Sequence, residues 1–215
     1  YGMVTLAEWY ENAILLGIVG LFFLNSNPVS IVGAIIALEA WGSETRHFSG
    51  IDDYNKDAIL TEYRGDLDSG LLIFPDEINA VQEPFYEAEF RTGLFDTDGY
   101  MVMELTYEAA DYEAEVKRIS EISVTLSDRR ESITQGVRLD LDDYAFPAYV
   151  ASDGYDDVYE YALLDEEELR IIYVYLSYPQ SQDLSGYRDY LKQEFEAYEN
   201  PGNTLTDFSI YGYSF

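Results

Sequence analysis

The sequence contains no cysteine, a single histidine and only 12 lysine and arginine residues among its 215 positions. Without cysteine the chain forms neither disulfide bonds nor thiolate metal sites, and one histidine excludes metal sites built from several histidines. Serine-nucleophile motifs of the G-x-S-x-G and S-x-x-K types and Gly-rich phosphate loops are also missing from the sequence. The sequence therefore predicts no catalytic residue, no metal ligand and no cofactor.

Acidic residues outnumber basic ones by 42 to 12, which gives a formal net charge of -30 at pH 7. Residues 1–46 hold four of the acids and one of the bases, so residues 47–215 carry a net charge of -27. Nucleic acid and anionic lipid headgroups are bound through lysine and arginine, so we expect no nucleic-acid partner. Abundant tyrosine, phenylalanine and aliphatic residues still indicate a folded core, because disorder requires high charge together with low hydrophobicity.

An uncharged apolar segment extends over residues 13–38 and is interrupted only by Asn25-Ser26-Asn27-Pro28. A helix that crosses a membrane needs about 20 apolar residues, and each half of this segment is shorter. Three arrangements fit: one span over residues 9–24, one long span kinked at the proline, or a hairpin of two short helices. The turn-forming residues favour the hairpin, and a buried helical hairpin of a soluble protein is the non-membrane alternative.

We therefore expect residues 13–38 to contact the membrane, with residues 1–46 forming the hydrophobic segment and a stalk. Residues 47–215 then form one acidic domain, since single domains of about 100–200 residues are usual. The stalk is expected to lead into this domain over residues 39–53, and His47 within it is predicted to be a packing residue rather than a proton switch.

Alternation of apolar and polar residues predicts a β-hairpin whose strands are Phe85–Arg91 and Tyr100–Tyr107, with Asp98-Gly99 as its turn. The next segment, residues 108–122, has apolar residues at helical spacing on one side only, which predicts a helix lying on a sheet. Residues 51–72 are polar and rich in turn-forming residues. They lead into a short buried strand, which is predicted at residues 71–75.

A second hairpin is predicted from strands at residues 158–164 and 169–178, and both faces of the later strand are apolar. Such a strand is typical of a sheet centre covered on both sides. A second helix is predicted over residues 185–199. Shorter strands are expected at residues 145–151, as an edge because of Pro147, and at residues 208–213.

The element order predicts an α+β fold, in which an antiparallel β-sheet is covered by two helices. Hairpin, helix, hairpin and helix in succession also suggest a ββα-ββα quasi-repeat. A hydrophobic helical segment or hairpin is expected to precede this domain.

Three acidic clusters raise the question of calcium, and each is better explained as a solvated turn rich in aspartate and glycine. They contain, in chain order, Asp96 and Asp98; Asp140, Asp142 and Asp143; and Asp153, Asp156 and Asp157. An EF-hand loop counted from Asp96 would place Met101 and Tyr107 where glycine and glutamate are required. No calcium site is predicted, although the first ligand candidates, if calcium did bind, would be Asp96, Asp98, Asp153, Asp156 and Asp157.

Four stretches carry a likeness to known sequences: HFSGIDDY, DSGLLIFPDE, FPAYVA, and YEYALL followed by IIYVYLSYP. Over residues 47–178 the chain resembles a group of uncharacterised, predicted membrane-anchored proteins of low-GC Gram-positive bacteria. The resemblance implies one extracytoplasmic domain held at the cell membrane and facing outside, with no known activity and no site residues. The interrupted apolar segment departs from that group and puts single-span anchoring in doubt.

We expect a non-enzymatic binding or accessory module with a protein or glycan partner. One alternative is a carboxylate-dependent glycan hydrolase, which needs two carboxylates about 5–5.5 Å or 6.5–9.5 Å apart in a cleft. Another is a subunit of a larger membrane complex, since Gly17, Gly20 and Gly33 would permit close helix packing. The 21 tyrosines are expected mainly in the core.

Overall fold

The computed structural model describes residues 44–63, 71–78, 81–93, 97–127, 132–155, 158–179, 184–192, 196–197 and 208–209. The predicted membrane segment at residues 13–38 lies outside these ranges. Within them, no helix is both long enough and apolar enough to span a membrane. The chain divides into two compact units, Tyr1–Glu44 with Thr92–Asp96 and Thr45–Arg91 with Thr97–Phe215. Both hydrophobic cores belong to the second unit.

The described part of the chain is an α+β fold built on a seven-stranded antiparallel sheet. The strands lie in the order β1-β2-β3-β9-β8-β7-β6, while β4 pairs with β5 and β10 with β11. The strands are β1 (Glu44–Ser49), β2 (Val81–Thr92), β3 (Thr97–Tyr107), β4 (Ser123–Ser127), β5 (Ser132–Gly136), β6 (Arg138–Asp140), β7 (Ala148–Tyr155), β8 (Val158–Asp165), β9 (Arg170–Ser177), β10 (Glu196–Ala197) and β11 (Phe208–Ser209). The helices are α1 (Lys56–Tyr63) and α2 (Ala109–Ser120), with 3₁₀ turns at Ile51–Asp53 and Ser185–Tyr190.

Strand β9 lies at the centre of the sheet, which confirms the prediction from its two apolar faces. It pairs antiparallel with β3 on one side and with β8 on the other, so that Val174 faces both Val102 and Tyr161. Every residue of β8 and all but the first of β9 are buried. The two predicted hairpins therefore meet through β3 and β9.

Alternate residues of each strand point to opposite sides of the sheet, and other segments of the chain cover both faces. On the first face, Met101 and Met103 of β3 pack with Tyr112 and Ile119 of α2, as that helix's apolar stripe predicts. Helix α1 and residues 71–78 complete this cover. On the second face, residues of β7, β8 and β9 pack beneath Tyr144, Leu184 and Leu191.

The predicted strand at residues 71–75 is wrong, although Leu71, Ile73 and Phe74 are fully buried. Side chains, rather than a neighbouring strand, form the hydrogen bonds to the backbone of this segment, so the segment needs no strand pairing. The Ile73 N–H donates to Glu160 at 2.6 Å and the Ile73 carbonyl accepts from Arg118 at 2.5 Å. Lys56 Nζ lies 2.7 Å from the Phe74 carbonyl, and the Tyr54 hydroxyl lies 2.6 Å from the next carbonyl.

Asp98-Gly99 is not the hairpin turn that the sequence predicts, because both residues lie inside β3. A Cβ at Gly99 would come within 2.5 Å of the Glu89 carbonyl oxygen and of Phe90 Cδ1. Glycine is required here for close approach to β2 rather than for chain reversal.

The predicted second helix at residues 185–199 is also wrong, since the structure has a 3₁₀ helix over Ser185–Tyr190. Tyr187 departs from helical geometry and Leu191 is extended. Because this segment packs on the second face and α2 on the first, the two halves of the domain do not repeat one another.

Other expectations change in smaller ways. The stalk expected over residues 39–53 contains strand β1, and the polar, turn-rich region expected at residues 51–72 contains helix α1. Strand β7, predicted at an edge, lies between β8 and β6. The last predicted strand contains β11, and its remaining residues, 210–213, lie outside the described ranges.

Candidate functional site

Four carboxylates of the acidic clusters considered for calcium are engaged by hydrogen bonds or basic side chains, those of Asp98, Asp140, Asp143 and Asp153. Asp140 accepts the N–H groups of Asp142 and Asp143, each at 3.0 Å, and forms an ion pair with Arg138. The hydrogen bond from the Asp143 N–H is the main cause that lowers the pKa of Asp140. Across the described ranges, no three His, Asp or Glu side chains are grouped to hold a metal ion.

The other two clusters are also paired with cations. Asp153 lies 3.0 Å from Lys192 Nζ, and Asp98 lies 2.6 Å from Arg91. Asp96, Asp156 and Asp157 lie outside the described residues. Asp98 and Asp153 lie in strands β3 and β7 rather than in the predicted solvated turns, and their carboxylates form ion pairs.

His47 is not the packing residue that the sequence predicts. Its side chain is 69% exposed on β1, and its Nδ1 lies 3.0 Å from a carboxylate oxygen of Glu89 on β2. Phe48, the next residue, points to the opposite face and packs edge-on against Phe90. His47 and Glu89 therefore both lie on the second face of the sheet.

Strand β2 carries the polar side chains that form a candidate site on the second face. Its residues Tyr86, Ala88 and Phe90 are buried in the first core. Alternation along the strand then places Phe85 and Glu87 on the second face. Glu87 is half-buried there, whereas Phe85 is 38% exposed. This part of the sheet presents a polar surface beside the second core.

The 3₁₀ helix Ser185–Tyr190 borders this surface with two tyrosines. Residues three apart in a 3₁₀ helix lie on the same side, which brings Tyr187 and Tyr190 together. Their rings stack at a centroid distance of 6.4 Å, and the Tyr187 ring lies 5.7 Å from that of Tyr100 on β3. Both tyrosines of the 3₁₀ helix are half-buried, so part of each remains accessible.

Two glutamates join these tyrosines to the sheet. The Tyr100 hydroxyl donates to Glu87 at 2.8 Å. Tyr187 lies beside Glu87 and Tyr190 beside Glu104, close enough for each carboxylate to raise the pKa of its phenol. We call Glu87, Glu104, Tyr100, Tyr187 and Tyr190 the tyrosine–glutamate site.

An arginine at the end of β9 supports the second carboxylate of the site. Arg170 donates to Glu104 at 3.0 Å and to Asp165 at 2.8 Å. Glu104 thus has a cationic partner, whereas Glu87 accepts its hydrogen bond from the uncharged Tyr100 phenol. The two carboxylates differ in the charge of their donors.

The phenols of the site remain protonated and act as hydrogen-bond donors at neutral pH. Burial, followed by the adjacent Glu87 carboxylate, raises the pKa of both Tyr100 and Tyr187. Burial and the adjacent Glu104 carboxylate raise the pKa of Tyr190 to about 12. The site therefore offers aromatic rings and carboxylate oxygens, a combination suited to holding a ligand rather than to accepting protons through tyrosine.

The sequence contained part of the signal for this site. Its period-two pattern separates Glu87 from the buried face of β2. No local pattern places Tyr187 and Tyr190 beside Glu87 and Glu104, because these residues lie far apart in the chain.

Comparison with known proteins adds no relationship to this description: no family model, no curated protein and no solved structure matches the chain.

Proposed function

We propose that this chain is a non-enzymatic binding module held at the cell membrane by residues 13–38, with its acidic domain facing outside. The observation that carries the binding proposal is the tyrosine–glutamate site on the second face. Two stacked, partly accessible tyrosines lie against carboxylates whose positions are fixed by hydrogen bonds. Tyrosine combines a large contact area with few rotatable bonds, so it binds partners at low entropic cost.

The same contacts favour binding over glycan hydrolysis. A glycosidase uses one carboxyl group as a proton donor and the second as a base or nucleophile. Here Glu87 accepts a hydrogen bond from the Tyr100 phenol and has Tyr187 beside it, and Glu104 accepts from Arg170 and has Tyr190 beside it. Their oxygens are committed to positioning, which suits recognition more than proton transfer.

The binding proposal is tested with the 215-residue chain and a panel of short soluble probes, comprising oligolysine, oligoglutamine and chitin oligosaccharides. We expect saturable binding of one probe class, weakened by Tyr187→Ala. Glu113→Gln is the control, since Glu113 is exposed on α2, the helix that covers the opposite face of the sheet. If no probe binds at up to about 1 mM, where a Kd still corresponds to about -4 kcal/mol, the binding proposal fails.

Membrane attachment is tested separately by washing membranes from expressing cells with alkaline carbonate. The uncharged segment at residues 13–38 should keep the chain in the pellet, and protease added to intact cells should degrade residues 47–215. A chain released by carbonate would refute the anchoring and leave the site itself intact.

A further inference from the structure

Glu87 differs from Asp140 and Asp153 in how its charge is balanced. Asp140 and Asp153 form ion pairs with Arg138 and Lys192. Glu87 instead accepts a hydrogen bond from the Tyr100 hydroxyl and lies beside Tyr187, and neither phenol carries a positive charge. The hydrogen bond holds the carboxylate in place and leaves its negative charge to attract a cation.

The rings beside Glu87 are suited to the same kind of ligand. A lysine or arginine side chain placed over a tyrosine face within about 6 Å of its centre is attracted by the π electrons. Tyr187 lies beside Glu87, packs against Tyr100 and stacks on Tyr190, so one cation can contact a ring and a carboxylate together. The exposed Phe85 extends the surface for the aliphatic stem of such a side chain.

The net charge of the whole chain indicates which class of ligand binds at the tyrosine–glutamate site. A net charge of -30 repels a second copy of this chain, nucleic acid and anionic lipid, and it steers cationic partners toward the surface. A neutral glycan gains nothing from this field. A partner whose charge complements both the site and the surrounding field is a basic polypeptide.

Resting on the proposed function, we infer that the tyrosine–glutamate site binds a cationic polypeptide segment, with a lysine or arginine side chain docked between the Tyr187 ring and the Glu87 carboxylate. Binding of this kind weakens as salt rises, because screening shortens the reach of the charges. Aromatic and carboxylate contributions should then be separable by substitution.

The experiment measures the Kd of a short oligolysine peptide for the 215-residue chain in zwitterionic nanodiscs. Oligoglutamine of the same length and a chitin oligosaccharide serve as uncharged probes. Glu87→Gln removes the charge, Tyr187→Ala removes the ring, and Tyr187→Phe keeps the ring without its hydroxyl. Glu113→Gln removes one charge from the opposite face, and circular dichroism verifies that each variant is folded.

We expect Glu87→Gln and Tyr187→Ala each to weaken oligolysine binding about three- to tenfold, and Tyr187→Phe and Glu113→Gln to change it less than about twofold. Equal losses for Glu87→Gln and Glu113→Gln would mean that oligolysine responds only to the overall field, which overturns the inference. Binding of the oligosaccharide alone, abolished by Tyr187→Ala, would overturn the cationic ligand while supporting the proposed function. Failure of every probe would overturn both.

Discussion

Arg118 connects helix α2 to residues 71–75, the buried segment that the sequence predicts as a strand. Substituting Arg118 therefore tests which contacts hold this segment in place. Its Nη2 donates to the Ile73 carbonyl at 2.5 Å, and its guanidinium holds both oxygens of Glu115 at 2.7 and 2.8 Å. Glu115 also accepts from the Tyr173 hydroxyl at 2.7 Å, which lies 3.0 Å from that of Tyr107. One network thus connects α2, β3, β9 and the segment around Ile73.

Replacing Arg118 by methionine keeps an apolar stem and removes three hydrogen bonds that involve a charge. Such bonds contribute about 1.5–3 kcal/mol each when isolated, and breaking a fully buried ion pair costs about 3–5 kcal/mol. The Arg118 side chain is 39% exposed, so water replaces part of what is lost. We therefore expect the free energy of unfolding to fall by about 2–3 kcal/mol. Adding Glu115→Gln should restore about 1 kcal/mol, because the uncompensated carboxylate is removed.

The measurement is urea unfolding of the 215-residue chain, followed by near-ultraviolet circular dichroism of the buried tyrosines. Lys117→Met is the matched control, because Lys117 is 73% exposed and its partner Glu121 lies 3.8 Å away. That control should cost less than about 0.5 kcal/mol. A loss below about 1 kcal/mol for Arg118→Met, or no recovery in the double variant, would refute the idea that side chains hold the Ile73 segment.

Three further predictions concern the core, pH and salt. Ile172→Ala removes a fully buried side chain from the central strand and should cost about 2–5 kcal/mol in urea unfolding; a loss under about 1 kcal/mol would contradict its central position. Asp140→Asn should cost about 1 kcal/mol at pH 7. The lowered pKa of Asp140 stabilises the folded state fully above the ordinary value of 3.8, and this contribution is lost as pH falls through the folded-state pKa. The difference in stability between Asp140→Asn and the parent chain should therefore disappear over that range. A difference that stays constant would contradict this. Raising NaCl should raise the melting temperature by screening the net charge of -30, and calcium should add no more than magnesium does. A saturable gain with calcium alone would instead assign ligand roles to Asp98 and Asp153 first.

Elements whose pattern is local were predictable from the sequence. The stripe of α2, the alternation in β3 and the two apolar faces of β9 follow from which residues must be buried, and each lies near its predicted position. Gly99 was misjudged because a glycine in a turn and one beneath a neighbouring strand look alike in sequence. Only the position of Phe90 distinguishes them.

Segments held by distant side chains were not predictable in the same way. Residues 71–75 have the composition of a buried strand, but their backbone partners come from Glu160 and Arg118, which lie 87 and 45 residues further along the chain. The tyrosine–glutamate site has the same origin. It requires the antiparallel pairing of β3 with β9 and the passage of the chain after β9 onto the second face.

Because of where the lysine and arginine side chains lie, the binding proposed at this site must be distinguished by experiment from attraction by the net negative charge of the chain. Lys56 and Lys192 are only 12% and 10% exposed, Arg170 is 28% exposed, and with Arg118 they bond backbone carbonyls or carboxylates within the fold. Positive charge is thus used to hold the structure, while the net field outside remains strongly negative. Any basic molecule will feel that field, but a field alone has no dependence on one ring or one carboxylate. Selectivity must come from a place where rings and a fixed carboxylate meet, which makes the contrast between Glu87→Gln and Glu113→Gln the decisive comparison.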